Sequence, residues 1–134
     1  MILVVDDDVH AKALCDFLEL MVDRTTLVAR IAEVPAYLEQ NAAEISVVVL
    51  DILMPDQDLV KTLKALGEEI PDPKEESGLL LYRYIRRKYP LLRIVVHSVV
   101  RAQRVVEQFM NSQTTYLPKP AQLPDILQSV RGRT

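Results

Sequence analysis

Short apolar runs alternate along the chain with segments whose apolar residues recur at helical spacing. Five runs of aliphatic and β-branched residues predict strands at about 2–6, 25–29, 46–51, 92–98 and 115–117. Between these runs, the spacing of apolar residues predicts helices over about 9–22, 33–42 and 101–112. After the last run it predicts a further helix that carries Leu123, Ile126, Leu127 and Val130. Alternating units of this length predict an α/β fold, with a parallel sheet between two layers of helices.

Acidic residues directly follow two of these strands. Asp6 and Asp7 end the run 2–5, and Asp51 ends the run 47–50. In an open parallel sheet the carboxyl ends of the strands share one edge, where ligands bind. Three carboxylates brought together there repel one another unless a cation binds them, and an oxygen-lined site suits Mg²⁺. We therefore expect a Mg²⁺ site at this edge of the sheet.

Composition and charge narrow the functional class. The 134 residues are 49% hydrophobic and include no Trp, which favours one domain over 1–134 with an aliphatic core. A net charge of −3 argues against direct binding of nucleic acid. No apolar stretch approaches the ~20 residues of a membrane span, and no signal segment precedes Ile2, so we expect a cytoplasmic protein. Cys15 lies among apolar residues and is expected to be a buried thiol.

Five separated motifs together resemble the receiver domain of two-component response regulators. They are Val-Val-Asp-Asp at 4–7, Leu-Asp-Ile-Leu-Met-Pro at 50–55, Ser98, Tyr116 and the pair Lys119-Pro120. Each is weak alone, but their order and their positions at strand ends are specific, and they span almost the whole chain. The resemblance implies a doubly wound, five-stranded parallel sheet of flavodoxin-like order 2-1-3-4-5.

The resemblance also implies roles for the acidic residues. Asp51 is expected to be the phosphoacceptor, which takes a phosphoryl group from a phosphohistidine on a sensor histidine kinase or phosphotransfer protein. Asp6, Asp7 and Asp51 are expected to bind Mg²⁺ together with the backbone carbonyl of Leu53. On this interpretation the protein is not an enzyme, although it assists its own phosphorylation and its own slow dephosphorylation.

Three further residues complete the implied switch. Lys119 is expected to pair with Asp51 at rest and with the phosphoryl group afterwards, and its bond to Pro120 is a candidate cis peptide. The hydroxyl of Ser98 is expected to swing toward a phosphoryl oxygen. Tyr116 is either a half-buried strand residue or a rotamer switch that follows Ser98, and we favour the switch. The changed surface, formed by the last two helices and the last strand, is expected to bind a downstream protein or output domain.

Some features depart from the receiver pattern. Val99 stands where receivers usually carry a small residue, and the positions that flank the approach to the phosphoacceptor hold the apolar residues Leu53 and Val100. The glycine that opens the next helix in receivers is matched by Gly78, so we interpret 56–77 as an insertion.

The insertion has a pattern of its own. It is acidic, and one helical stripe is formed by Leu59, Leu63, Leu66 and Ile70. Gly67 is positioned to end such a helix, and the segment 71–73 is expected to form a stiff, extended exit. We favour a short helix packed beside the Asp51 pocket or against a partner. The alternative is a tolerated surface loop.

Other functions fit the sequence less well. A docking module with the receiver fold but no phosphate switch is the main alternative, and the acids, Ser98 and Lys119 argue against it. An aspartyl phosphatase is disfavoured because Leu53 stands where a second acid is needed. Nucleotide binding is also disfavoured, since three glycines in total leave no phosphate-cradling loop. The basic residues of 83–88 are interpreted as a solvated helix face, and His97 as a strand or pocket-rim residue.

Overall fold

The structure is a computed structural model that describes residues 1–70 and 76–132. Its strands are β1 (Ile2–Val5), β2 (Thr25–Val28), β3 (Val47–Leu50), β4 (Arg93–Ser98) and β5 (Thr114–Pro118). They form one parallel sheet in the order β2-β1-β3-β4-β5. The predicted fold class and strand order are confirmed, and each strand lies within one residue of its predicted bounds.

Six α-helices lie within the described ranges. They are α1 (Ala11–Met21), α2 (Val34–Asn41), α3 (Asp58–Ala65), α4 (Ser77–Lys88), α5 (Gln103–Val106) and α6 (Leu123–Arg131). A 3-10 turn at Ile31–Glu33 precedes α2. The predicted helix over 101–112 is too long, because α5 ends at Val106 and the chain tightens into a 3-10 turn at Glu107–Phe109. This turn buries Phe109 against the Tyr82 ring and leaves Met110 exposed.

The sheet separates two apolar layers. Side chains alternate along β1, so that Leu3 and Val5 enter the layer of α2, α3 and α4, while Ile2 and Val4 enter the layer of α1 and α6. Cys15 is buried in the second layer as predicted, and burial raises the pKa of its thiol to about 11. Both faces of the central strands are covered, which explains why these strands read as continuous apolar runs.

Residues 58–65 form a packed helix and not a surface loop. Leu59 and Leu63 of α3 are fully buried in the main core, and the helix lies against α4 and the 3-10 turn that precedes α2. The predicted stripe fails at Leu66, which is 42% exposed because α3 ends at Ala65 and Gly67 turns the chain with a φ of 81°. The stiff exit predicted at 71–73 lies outside the described residues.

The interpretation of the basic residues of α4 as a solvated face is wrong for two of them. The guanidinium of Arg86 donates to the carbonyl oxygens of Leu92 at 2.8 Å and of Gln113 at 3.1 Å. Arg83 donates to the side-chain oxygen of Gln108. The two carbonyl groups precede β4 and β5, so Arg86 supplies donors to backbone oxygens where these strands begin.

Candidate functional site

Asp6, Asp7 and Asp51 meet at the carboxyl end of the sheet. β1 and β3 are neighbours, with Val5 opposite Leu50, so the residues that follow these strands lie side by side. One carboxylate oxygen from each of the three acids lies within 4.8 Å of the other two. Asp6 is 5% exposed and Asp51 is 8% exposed, whereas Asp7 faces solvent. The structure therefore brings together the three acids that the sequence singled out.

Lys119 supplies a positive charge to this cluster. Its Nζ atom lies 2.8 Å from Oδ2 of Asp6 and 3.3 Å from Oδ2 of Asp51. The shorter contact is with Asp6, although the sequence suggested Asp51 as the resting partner. Burial lowers the pKa of Lys119, but the ion pairs with the two acids outweigh burial and raise the pKa above its ordinary value. Lys119 pairs with two of the three carboxylates of the cluster, so the cluster keeps an excess of negative charge.

Backbone groups hold the two buried carboxylates in place. The N–H of Asp8 donates to Oδ1 of Asp6 at 2.9 Å, and the N–H of Leu53 donates to Oδ1 of Asp51 at 3.0 Å. These are Asx-type turns, which form where an aspartate bonds the backbone two residues ahead. The Leu53 backbone therefore lies at the cluster, while metal binding by its carbonyl stays a prediction.

The start of α4 packs directly behind the phosphoacceptor candidate. A Cβ atom at Gly78 would lie 2.0 Å from the carbonyl oxygen of Ile52, the residue after Asp51. Only glycine permits this approach of two backbone segments. The match of Gly78 to the glycine of receiver domains therefore has a steric reason in this fold.

Ser98 and Tyr116 lie on either side of the loop that follows β4. Ser98 is fully buried, and its Oγ accepts a long bond of 3.4 Å from the N–H of Val100. The Tyr116 hydroxyl donates to the carbonyl oxygen of Val100. Arg101 donates to the Tyr116 hydroxyl at 3.2 Å and to the carbonyl oxygen of Lys119 at 2.7 Å. Sequence reasoning missed Arg101, because nothing in its local pattern indicates these partners.

The connection after β5 positions Lys119. Its N–H donates to the carbonyl oxygen of Ser98 at 2.9 Å, which aligns the two strand ends. The Lys119–Pro120 peptide bond is cis, as predicted. Ser98 and Lys119 therefore lie next to each other at the edge that carries the acids.

The insertion begins beside the acidic cluster. The Asp56 carboxylate accepts bonds from the N–H of Ala32 at 3.1 Å and from the N–H of Asp58 at 3.0 Å, and Arg30 pairs with Asp58 at 2.8 Å. Asp7 lines a cavity of about 460 Å³ together with Arg30 and Asp58. The first turn of α3 is thus fixed next to the solvent-facing acid of the cluster, which agrees with a position near the Asp51 pocket.

His97 lies next to Ser98 on β4 and is 8% exposed. Burial and the nearby Lys119 ammonium lower the pKa of the imidazole, against the opposing effect of Asp6 and Asp51, so its neutral form is favoured. With Asp6 and Lys119 it lines a cavity on the α1 side of the sheet. The observed position of His97 therefore agrees with its interpretation from the sequence as a strand or pocket-rim residue.

Comparisons with known proteins identify the fold. The sequence matches no family model and no curated protein. A receiver domain protein from Methanospirillum hungatei JF-1 superimposes with a TM-score of 0.75 at 20% identity, covering 98% of this chain and 90% of that chain. A two-component response regulator from Clostridium difficile gives 0.72 at 20%, and the chemotaxis protein CheY4 of Vibrio cholerae gives 0.73 at 16%; both cover 98% of this chain and 95% of that chain.

These similarities confirm the predicted resemblance at the level of the fold. The chain has the fold of response-regulator receiver domains over nearly its whole length. The described residues contain no helix long and apolar enough to span a membrane.

Proposed function

We propose that this chain is a two-component receiver that accepts a phosphoryl group on Asp51 and thereby switches its binding to a partner. The observation that carries the proposal is the partly buried contact of Lys119 with both Asp6 and Asp51, at the strand edge where Asp7 also lies. A partly buried cation between acids at the carboxyl end of a parallel sheet suits the transfer of an anionic group.

The donor set fits a hard divalent cation. Carboxylate oxygens are the ligands that Mg²⁺ prefers, and the cluster carries more negative charge than Lys119 neutralises. Asp6, Asp7, Asp51 and the carbonyl of Leu53 would hold the ion. When bound, Mg²⁺ neutralises charge on the phosphoryl oxygens and on the attacking carboxylate.

The transfer step uses Asp51 as a nucleophile. A carboxylate oxygen of Asp51 forms a bond to phosphorus while the bond from phosphorus to the donor imidazole breaks, and the imidazole leaves with that electron pair. Asp51 suits this role better than Asp6, because its contact with Lys119 is longer by half an ångström. The Lys119 ammonium then donates to a phosphoryl oxygen in a charge-assisted hydrogen bond.

The switch step rests on the loop after β4. The hydroxyl oxygen of Ser98 accepts only one long bond of 3.4 Å, from the N–H of Val100, among the described residues, so the hydroxyl is released at low cost to donate to the phosphoryl group. Any shift of Val100 disturbs the bond between its carbonyl oxygen and the Tyr116 hydroxyl. Arg101 donates both to this hydroxyl and to the carbonyl oxygen of Lys119, so the disturbance also reaches Lys119. The surface of α5, β5 and α6 then changes toward a downstream protein or output domain.

The proposal also specifies the functional class of the protein and the partners that it needs. The phosphodonor is a sensor histidine kinase or a phosphotransfer protein, in the cytoplasm. The chain acts as a signalling phosphoacceptor and not as an enzyme with an external substrate. The alternative is a docking module that has the receiver fold but does not respond to phosphate. The following experiment distinguishes this alternative from the proposed phosphoacceptor.

Incubation with Mg²⁺ and acetyl phosphate, followed by intact-mass measurement, tests the proposal. We expect the wild type to gain one phosphoryl group, and Asp51→Asn to gain none. Asp16→Asn is the matched control, because Asp16 is an exposed α1 residue outside the cluster, and it should label like the wild type. No mass gain in the wild type would favour the docking module.

A further inference from the structure

A cavity of about 630 Å³ opens between α1 and the start of α6. Most of its wall is apolar, with side chains contributed by Leu14, Phe17, Leu123 and Ile126. The end nearest the sheet is polar, because Asp6, Lys119 and His97 line it, and Asp8 and His10 from the loop before α1 line the cavity as well. An apolar cleft of this volume with a few convergent polar groups has the character of a small-molecule site.

His97 is the residue of this cavity that the fold leaves unexplained. It continues the face of β4 on which Val95 packs, where an aliphatic side chain would complete the apolar layer. Its ring is more than nine-tenths buried, yet neither Nδ1 nor Nε2 has a hydrogen-bond partner among the described residues. An unpaired buried polar group costs about 1–3 kcal/mol, so such groups normally have a partner.

The chemistry of the polar end selects the head group of an occupant. A neutral imidazole offers one N–H donor and one nitrogen acceptor, so its complement carries one acceptor and one donor. An anionic head would lie against Asp6, and a cationic head would lie against Lys119, since both residues line the cavity. A neutral head avoids both conflicts. The apolar wall matches a hydrocarbon or aromatic body.

We propose that this cavity binds a small neutral amphiphile, whose apolar body packs against α1 and α6 and whose amide-like head pairs with His97. The cavity shares Asp6 and Lys119 with the phosphoryl site. The proposal still goes beyond the phosphoryl chemistry of Asp51 and does not depend on it, because His97 plays no part in that chemistry and the cavity is formed by the resting fold.

Titration with 3-phenylpropanamide, followed by long-range ¹H–¹⁵N spectra of the histidine rings, tests the proposal on the full chain. We expect saturable shifts of the His97 ring nitrogens and nuclear Overhauser contacts from the phenyl group to Leu14 and Phe17. The charged analogues 3-phenylpropanoate and 3-phenylpropylammonium should bind at least about tenfold more weakly. His10 also borders the cavity, and a His10→Gln variant assigns the ring signals.

Two variants separate the head contact from the cavity itself. His97→Leu should weaken binding of the amide about tenfold, the value of one or two hydrogen bonds, without abolishing the phenyl contacts. Ala121→Phe keeps His97 but fills the cavity, and should abolish binding. Ala65→Phe, at an exposed position of α3, is the control and should bind like the wild type.

The proposal fails on either of two results. One is that the amide causes no saturable shifts of the His97 ring nitrogens. The His97 ring would then contact only water, and the polar end of the cavity would be filled by solvent. The other is a shift of equal size and midpoint in Ala121→Phe, which places the probe elsewhere. If His97→Leu does not fold, the cavity-filling variant still decides the question.

Discussion

The ammonium of Lys119 forms its shortest ion pair with Asp6, at 2.8 Å and across 113 positions of the sequence. Its contact with Asp51 is longer, at 3.3 Å. The cation therefore neutralises the acid of β1 more fully than the acid of β3. On the proposed mechanism this division is useful, because the reacting carboxylate of Asp51 stays available while Lys119 remains close enough to follow the phosphoryl group.

The first prediction concerns this ion pair. Lys119→Met should lower the metal-free free energy of unfolding by about 3 kcal/mol, because Asp6 is left buried without its cation. Lys12→Met is the control, since Lys12 and its partner Asp16 are 76% and 64% exposed, and it should change stability by less than about 0.5 kcal/mol. Urea unfolding measures both. Equal effects would mean that the buried pair contributes no more than a surface pair.

The second prediction concerns metal binding. Mg²⁺ at ten times its dissociation constant should stabilise the wild type by about 1.4 kcal/mol, seen as a higher melting temperature. Asp7→Asn should remove this response and raise the metal-free melting temperature, because Asp7 adds repulsion to the cluster and accepts no cation from the described residues. A Mg²⁺ response of the same size in Asp7→Asn would place the metal elsewhere.

The third prediction concerns the backbone contact behind Asp51. Gly78→Ala should cost about 3 kcal/mol and weaken the Mg²⁺ response, because the new Cβ collides with the Ile52 carbonyl and displaces the adjacent Asp51. Gly67→Ala should cost only about 1 kcal/mol, since its left-handed φ is strained for alanine but no atom lies within 4 Å of its Cβ. Thermal and chemical unfolding compare the two, and a larger loss at Gly67 would refute the steric argument.

The fourth prediction concerns the lifetime of the phosphorylated state. Hydrolysis needs a water positioned in line with phosphorus, and the apolar side chains of Leu53 and Val100 cannot orient one. Their backbone N–H groups bond Asp51 and Ser98, which places both residues at the site. We expect slow self-dephosphorylation, shortened several-fold by Leu53→Asn combined with Val100→Glu. Decay of labelled protein measures it, and a wild-type lifetime of seconds would contradict the expectation.

Much of the fold could be predicted because the strands are covered on both faces. The central strands β1 and β3 are therefore continuous apolar runs that end sharply at polar residues, at Asp6 and Asp51. The carboxyl-end rule then places these acids together without any structural information. The cis bond before Pro120 and the role of Gly78 came from the resemblance to receivers and not from periodicity.

The parts that could not be predicted depend on contacts between distant segments. Arg86 looks like a solvent-facing residue of α4, but tertiary packing places its side chain against the starts of β4 and β5. Leu66 fits a helical stripe, but α3 ends one residue earlier. The preference of Lys119 for Asp6 over Asp51 is a matter of half an ångström, which no sequence pattern encodes.

The structure of the insertion could be predicted only in part. The spacing of Leu59 and Leu63 predicts its helix, but it does not predict how deeply the two side chains are buried. Since both belong to the main core, we expect that replacing 57–76 by a short turn would destabilise the fold. The surface of α3 is better probed at its exposed Lys61 and Lys64, whose substitution leaves the core intact.

The most direct measurement of the central claim is the position of the phosphoryl group on the chain. After labelling with acetyl phosphate and Mg²⁺, reduction with borohydride converts an aspartyl-phosphate to homoserine, and peptide mass spectrometry then reads which aspartate was modified. We expect homoserine at Asp51 alone, and none without divalent metal. Modification at Asp6 or Asp7 instead, or equal modification of the Asp51→Asn variant at other acids, would contradict it.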